Sequence, residues 1–332
     1  MKGIVYTKVG SSDVLKIMGM KKPTPKANQV LVKVKASSIS NMEYMRFGEN
    51  GKTPFFSRII NIGINATGKA LGADVAGVVE AVGKNVTSVK KGDEVFGMTS
   101  GFIGGWAEYA LLDEKTLYQK PIPLTFEEAS AMPTGCITAL GAVRAAKIKK
   151  GQEILVYGAS GGVGHYVVQI AKAFGATVTG VCSTRNLEVV RSVGADYVID
   201  YKKEDFTQKG KTYDAIIAVN GYNPLKTYNK LLNKGGRFII VGGMKQAMLG
   251  SLGSPFYSIF SGKRFKSVAF PFMPAKKSLA ELKALADEGK IKPHIDNVYP
   301  ATDVGDALGY VIETHPQGKV VISMDFDEQK QK

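Results

Sequence analysis

One stretch narrows the choice of fold more than any other: Ile154-Leu-Val-Tyr-Gly-Ala-Ser-Gly-Gly-Val-Gly164, continued by His165-Tyr-Val-Val-Gln-Ile-Ala-Lys-Ala-Phe-Gly175. The apolar run between Gly151 and Gly158 reads as a buried strand. Val163, Val167, Ile170, Ala171 and Phe174 then recur at helical spacing. A strand, a glycine turn and a helix, in that order, form the dinucleotide-binding fingerprint. Here it reads Ala159-x-Gly161-x-x-Gly164, with alanine at the first glycine position. Small residues let backbone N–H groups approach a pyrophosphate, and the helix N-terminus adds partial positive charge. Ser160, Gly161, Gly162, Val163 and Gly164 are therefore the expected phosphate cradle. A tight turn without a ligand is the plainer reading, and the strand and helix on either side favour the fingerprint over it.

The chain has 332 residues, enough for about two domains and a sizeable core. No apolar run approaches the ~18 residues of a membrane-spanning helix. Met1-Lys-Gly-Ile-Val-Tyr6 runs straight into a strand pattern, so no signal peptide is expected, and cytoplasmic residence is the simplest inference. Cys136 and Cys182 lie far apart and match no metal or redox spacing. The net charge of +15 is unusual. Its lysines are scattered in pairs such as Lys21-Lys22, Lys149-Lys150 and Lys276-Lys277. No nucleic-acid motif or aromatic-interleaved basic strip accompanies them, which argues against a nucleic-acid partner. A basic solvated surface explains the charge, with weak association to an anionic membrane as the alternative.

Residues 1–125 read as mostly β, with strands at Gly3–Lys8, Gln29–Ala36, Val75–Val82, Glu94–Gly97 and Trp106–Leu112, which suggests a compact barrel. Between Arg46 and Leu71 many apolar residues fall in a connection, which fits either a lid or a satellite core helix. Thr125-Phe-Glu-Glu128 is a capping-box start for a helix that runs to Met132, and Pro133 begins a break before a second helix through Ala146. Strands then alternate with helices: Ile154–Tyr157, Thr177–Cys182, Tyr197–Asp200, Tyr213–Val219 and Arg237–Val241 are strands, separated by helices at Gly162–Phe174, Leu187–Val193 and Pro224–Leu232. That order implies a parallel sheet covered on both faces. Further strands are expected at Ser267–Phe270, near Ile291–Ile295 and at Lys319–Ser323. A helix is expected at Ser278–Glu288, and the tail Asp325–Lys332 reads as disordered.

The second strand of a dinucleotide fold ordinarily ends in Asp or Glu about 20 residues after the fingerprint, to bind ribose hydroxyls. Here it ends in Cys182-Ser-Thr-Arg-Asn186. A carboxylate repels a 2′-phosphate, whereas hydroxyls and a guanidinium bind one. Ser183 and Arg185, with Thr184 and Asn186 as further donors, therefore point to NADPH. The same residues also fit a capped helix start, with Thr184 or Asn186 as the cap. Tyr201, after the third strand, is placed to flank the adenine or its phosphate. Asn220-Gly221 and Gly242-Gly243 follow parallel strands, where ligands of such sheets bind. Asn220, Gly242 and Gly243 are accordingly cofactor candidates.

A wider set of motifs then comes into view: Gly72-Ala-Asp-Val-Ala-Gly77, Lys91-Gly-Asp-Glu-Val95, Gly105-Trp-Ala-Glu-Tyr109, Gly135-Cys-Ile-Thr-Ala139 and Gly318-Lys-Val-Val321. With the glycine turn, this set resembles the medium-chain dehydrogenase/reductase superfamily, in its quinone oxidoreductase-like branch. The resemblance spans nearly the whole chain. It implies an α/β fold, a Rossmann doubly wound parallel sheet inserted in a GroES-like β-barrel catalytic domain, with the active site between them. The expected boundaries are 1–125 and 271–332 for the GroES-like part and 126–270 for the Rossmann part. It also implies a homodimer.

The superfamily includes zinc alcohol dehydrogenases, whose catalytic metal needs Cys or His in three places. In this chain those places fall near Ile39–Ser40, at Ala73 and at Thr134, and none offers a zinc-binding side chain. Cys136 lies two residues from the last of them and reads as a small buried side chain. The four-cysteine structural loop is absent, and His165, His294 and His315 fall outside these motifs. His165 reads as a surface or capping residue. Without a Lewis acid, alcohol oxidation is disfavoured and hydride delivery to an electron-poor acceptor is favoured, a quinone or an α,β-unsaturated carbonyl. By the resemblance, Tyr44 lies near the nicotinamide as hydrogen-bond donor or stacking partner, and Thr138 lines the same site. An Asn and an Asp usual in the branch have no clear match in Ile39-Ser-Asn-Met-Glu43. Phe47, Met244, Phe256, Tyr257 and Phe260 are apolar candidates for the acceptor pocket. An alcohol dehydrogenase, or an NADPH-binding protein with little catalysis, stand as alternatives.

Overall fold

The structure, a computed structural model, describes residues 1–7, 14–40, 43, 68–208, 210–219, 223–242, 258, 261–268 and 275–326. The chain divides into two compact units. The first holds Met1–Thr134, Ala275–Asp287 and Ile295–Lys332, and the second Gly135–Pro274 and Glu288–His294.

In the first unit, β1 (Lys2–Tyr6), β2 (Leu15–Gly19) and β4 (Lys69–Ala70) form a three-stranded sheet in the order β2-β1-β4. A larger sheet runs β14 (Ile295–Pro300), β15 (Lys319–Ser323), β3 (Gln29–Ser38), β5 (Asp74–Val82), β6 (Glu94–Thr99), β7 (Tyr109–Gln119). An additional β3–β7 pairing closes β3, β5, β6 and β7 into a ring. Closure pairs the strand edges with each other and defines a barrel. Its core includes Val30, Val32, Val34, Val75, Val79, Val95, Leu112 and Leu117. Those inward residues of β3 alternate with the exposed Lys33 and Lys35, the period of two that specifies a half-buried strand.

Two helices follow the expected signals. Thr125 caps α1 (Phe126–Ala131): its hydroxyl accepts from the Glu128 N–H, and the Glu128 side chain accepts from the Thr125 N–H. Pro133, expected to form a break before the second helix, is itself the first residue of α2 (Pro133–Ala146), where its missing N–H costs nothing. The first unit extends to Thr134 because α1 packs on β3 and β5, with the Ser38 hydroxyl donating to the Ser130 carbonyl at 3.0 Å. The expected crossing at 125/126 therefore moves to 134/135.

The second unit is built on six parallel strands: β8 (Glu153–Tyr157), β9 (Thr177–Cys182), β10 (Tyr197–Asp200), β11 (Tyr213–Val219), β12 (Leu232–Val241) and β13 (Arg264–Val268). Their order across the sheet is β10-β9-β8-β11-β12-β13, the doubly wound 3-2-1-4-5-6 arrangement. The order reverses direction at β8, the strand that leads into the glycine turn. Helices α3 (Gly164–Ala173), α4 (Leu187–Ser192) and α5 (Leu225–Leu231) connect the strands. Residues 288–294 stay with this unit: the Gln169 amide donates to the Lys292 carbonyl at 2.9 Å and its oxygen accepts from the Lys292 N–H at 2.7 Å.

Several elements depart from expectation. Trp106 belongs to no strand but is fully buried, its N–H donating to the Leu71 carbonyl at 2.7 Å. The strand after it starts at Tyr109 and runs on to Gln119. The strand expected at Ile291–Ile295 instead begins at Ile295, and that expected at Ser267–Phe270 occupies Arg264–Val268. The helix expected at Ser278–Glu288 starts three residues earlier, as α6 (Ala275–Asp287). Among the described residues, β2 and α7 (Val304–Thr314) were unexpected, as was the short β4. β2 carries no alternation because four of its five residues are exposed. α7 contains Gly305 and Gly309, which blur the helical signature, although Val304, Ala307 and Leu308 are buried along one stripe. The apolar stretch 46–71 and the tail lie largely outside the described residues.

Candidate cofactor site and the polar cluster of the first unit

The glycine turn sits where the doubly wound order reverses. Gly158 has φ +75°, and a Cβ there would stand 2.1 Å from the Val219 carbonyl oxygen, so β8 can pass β11 only with glycine. Gly164, the first residue of α3, is equally tight: a Cβ there would stand 2.0 Å from the Gly158 oxygen. At Gly161 the nearest such atom is 3.7 Å away, so this face of the turn is open. The tight glycines shape the turn, and the open one leaves room for a phosphate beside the N–H groups at the start of α3. The first turn of α2 closes on the same place: a Cβ at Gly135 would lie 2.8 Å from the Gly162 oxygen. Thr138, one turn further along α2, is 9% exposed.

His165 is not a surface residue. It is fully buried, with Nδ1 2.8 Å from the Gly161 carbonyl and its ring against Tyr166. That contact ties the turn to α3 and gives the ring a structural task.

The end of β9 is built as a hydrogen-bonded scaffold. Asn186 is buried and its amide donates to the Ser160 hydroxyl at 2.8 Å, joining the phosphate turn to the segment after β9. Asn186 occupies the N-cap position of α4, as the sequence allowed, but not as a side-chain cap. The Asn186 side chain makes no capping bond to α4, and the Thr184 hydroxyl donates to the Asp200 carboxylate at 2.6 Å. Ser183 is half-buried and Arg185 exposed. Tyr201 follows β10, 43% exposed, with its N–H donating to the Cys182 carbonyl and its ring stacked on Tyr157 at 6.1 Å. Ser160, Asn186, Ser183, Arg185 and Tyr201 thus gather at the carboxyl ends of β8, β9 and β10.

Asp200 is the residue that sequence reasoning missed here. It ends β10, next to the strand whose own end lacks an acid. Its oxygens accept from the Thr184 hydroxyl and the Lys202 N–H, and that hydroxyl, with Lys203 and Lys202 nearby, holds its carboxyl below the usual range. A carboxylate already engaged and offset by lysines is compatible with a neighbouring phosphate. Gly242 follows β12 and is exposed. Asn220 and Gly243 lie outside the described residues, as do Tyr44, Phe47, Met244, Phe256, Tyr257 and Phe260. Both thiols are buried and burial pushes them up, Cys182 to about 11. As thiols they are poor ligands and nucleophiles.

The first unit carries a second polar constellation. Glu43 is 2% exposed. Its carboxylate accepts from the Ser40 N–H (2.8 Å), the Ser40 hydroxyl (2.6 Å) and the Ala73 N–H (3.0 Å). Asp74 is fully buried and accepts from the Thr134 N–H (3.2 Å) and hydroxyl (2.5 Å). Lys319, also buried, donates to the Ile39 carbonyl at 2.9 Å and stands 3.9 Å from the Asp74 carboxylate. Burial pushes the Asp74 carboxyl up to about 7, with Glu43 adding to the push and Lys319 and the Thr134 hydroxyl opposing it. Burial pulls the Lys319 ammonium down, opposed by Asp74 and Glu43. The sequence did show Asp74 and Lys319 inside motifs, but nothing in it marked them as neighbours across strands. Zinc does not fit the three places where the zinc enzymes hold it: serine, alanine and threonine occupy them, and their polar hydrogens are directed at Glu43 and Asp74.

Comparison with known proteins agrees with this architecture. A family model described as alcohol dehydrogenase GroES-like domain matches residues 26–122, and one described as zinc-binding dehydrogenase matches residues 193–322. A chloroplast envelope quinone oxidoreductase homolog of Arabidopsis thaliana is 34% identical over 313 residues, 90% of this chain and 91% of the relative. An NADPH-dependent alkenal/one oxidoreductase of the same plant is 33% identical over 97% of this chain and 79% of its own length. The solved structure of the quinone oxidoreductase from Coxiella burnetii superposes with a TM-score of 0.84 at 28% identity, covering 97% of this chain and 99% of that one. The chain belongs to the medium-chain dehydrogenase/reductase superfamily, in its zinc-independent quinone oxidoreductase-like branch.

Proposed function

We propose that this protein is an NADPH-dependent reductase that transfers hydride directly to a quinone or an α,β-unsaturated carbonyl. The observation that carries the cofactor choice is the end of β9. Ser183 and Arg185 stand where an NAD enzyme presents a carboxylate, and the acid that ends the neighbouring strand, Asp200, is already held by Thr184 and the Lys202 N–H. The acceptor class is supported by the names of the quinone and alkenal/one reductases that this chain resembles over nearly its whole length.

Bound NADPH supplies the hydride. The residues of the chain do the rest. The open face at Gly161 and the N-terminus of α3 hold the pyrophosphate, with Ser160, Gly162, Val163 and Gly164 forming the cradle. Ser183 and Arg185 bind the 2′-phosphate, and Tyr201 flanks the adenine. Thr138, Asn220, Gly242 and Gly243 border the nicotinamide end, and Tyr44 donates a hydrogen bond to the acceptor carbonyl. Orientation and exclusion of water lower the barrier without a Lewis acid, because the acceptor is electron-poor to begin with.

The same reading carries a homodimer, residence in the cytoplasm and weak, salt-sensitive attraction to anionic membranes from the net charge of +15. No described helix is long and apolar enough to cross a membrane. The test is oxidation of NADPH and of NADH with a naphthoquinone and with an alkenal. The expected result is turnover of at least one acceptor with a clear preference for NADPH. Tight NADPH binding without turnover of either acceptor would overturn the enzymatic reading.

A further inference from the structure

The three places that hold zinc in the metal-dependent relatives are drawn together here by something else. Ser40 and Ala73 both donate to Glu43, and Thr134 donates twice to Asp74. A zinc site presents lone pairs to a cation. These positions present N–H and O–H groups to two buried carboxylates, so the polarity of the site is reversed. Two buried carboxylates require a cation, and Lys319 brings one from β15. Its ammonium contacts the Asp74 carboxylate and the carbonyl of Ile39, the residue before Ser40. All these groups belong to the first unit.

We propose that Lys319 is a built-in cation. With Glu43 and Asp74 it ties together Ser40, Ala73 and Thr134, the job that a bound metal does at the same positions in the zinc enzymes. The inference rests on the zinc-independent character of this chain but not on its acceptor, and its test needs no substrate. Three features support it independently of any titration. The cluster is almost completely closed to solvent. The N–H and hydroxyl of both Ser40 and Thr134 are directed at a carboxylate. The Ala73 N–H, at another of the three places, points to Glu43 and not to solvent.

The experiment uses the full chain at pH 8.5 and reads the thermal midpoint with and without about 1 mM Mn²⁺, an oxygen-preferring divalent cation. Lys319→Met keeps the stem of the side chain and removes the charge. It is expected to lower Tm on the order of 5 °C, since two carboxylates are left without a counter-charge. Mn²⁺ should restore part of that loss in the variant and leave the wild type unchanged. The double variant Lys319→Met with Asp74→Asn removes one charge of each sign and should likewise recover stability, by more than Asp74→Asn alone gains in the wild-type background. Restoration by either route supports the built-in cation, because a lysine that served only as packing would be replaced by neither. A Tm unchanged in Lys319→Met, or a loss that neither Mn²⁺ nor Asp74→Asn repairs, overturns it. If the single variant does not fold, a folded double variant supports the proposal and an unfolded one overturns it.

Discussion

The two polar constellations of this molecule are made in opposite ways. In the second unit, the turn 158–164 is made of small residues and backbone. Its side chains are uncharged, and its polar links, such as Asn186 to Ser160, are single hydrogen bonds. In the first unit, Glu43, Asp74 and Lys319 are ionisable, buried and held by hydrogen bonds to their neighbours. The contrast teaches what each can tolerate. A backbone cradle is destroyed by volume and barely altered by charge, because its shape is set by glycines at van der Waals limits. A buried charge cluster is altered by charge and pH, because its energy is the small difference between desolvation and pairing.

The largest effect should come from volume at the turn. Gly164→Val places a branched side chain where even a Cβ would be 2.0 Å from the Gly158 oxygen. The turn must open, and the N-terminus of α3 must move with it. NADPH affinity, measured by fluorescence titration, should fall at least ~100-fold, equivalent to about 3 kcal/mol. Retained affinity would mean that the turn does not hold the pyrophosphate, and the comparison would lose one of its sides.

This asymmetry also decides what the sequence could show. The turn was legible because its constraint is local. Gly158, Gly161 and Gly164 act within seven residues, between a strand and a helix whose periods differ. Thr177–Cys182, Tyr197–Asp200 and Tyr213–Val219 were legible to the residue for the same reason: they are short runs rich in β-branched and aromatic residues, bounded by turns. Glu43, Asp74 and Lys319 were not legible as a cluster, since β3, β5 and β15 bring Lys319 to partners more than two hundred residues away. The capping box at Thr125 could be read directly, whereas the burial of His165 could not. Its neighbours Gly161 and Tyr166 are close in sequence, but its exposure depends on how α3 is covered. β2 and α7 were missed because their local patterns are weak, an exposed edge strand and a helix interrupted by glycines.

A pH experiment sharpens the contrast from the other side. The Asp74 carboxyl sits at about 7 in the folded protein, against ~3.9 in an unfolded chain. Between those values the folded form keeps a proton that the unfolded form has released. The Asp74 contribution to stability therefore falls as pH rises from ~4 to ~7 and levels off above that, by a few kcal/mol in order of magnitude. Carboxylates held low by hydrogen bonds, such as Asp200 and Asp196, act with the opposite sign in the acid range. The useful quantity is thus a difference. Urea midpoints of the wild type and of Asp74→Asn, taken from pH 4.5 to 8, should diverge in favour of the variant as pH rises. Parallel curves would remove Asp74 as a titrating group.

In the proposed cofactor site of the second unit, charge enters at the rim, after β9. Arg185→Ala should weaken NADPH binding by about 2 kcal/mol, some thirtyfold, and leave NADH binding within about threefold. Calorimetric titration with both nucleotides checks this. Equal losses for the two would show that Arg185 supports the fold of the segment and does not read the phosphate.

The smallest expected effect lies in the bond that joins the two cofactor loops. Asn186→Ala removes the donor to the Ser160 hydroxyl and leaves that hydroxyl, on a residue only 7% exposed, without this partner. A neutral hydrogen bond of this kind contributes about 1 kcal/mol, and its loss should lower the urea midpoint accordingly. With Ser160 in the proposed cradle and Asn186 in the proposed 2′-phosphate segment, NADPH and NADH should both weaken, each by less than about tenfold. This distinguishes a scaffold bond from a contact to the phosphate: Arg185 changes the ratio of the two affinities, whereas Asn186 changes both together. A selective loss of NADPH in Asn186→Ala would instead place its amide on the phosphate, and Ser160 would then be held to the turn by its backbone alone.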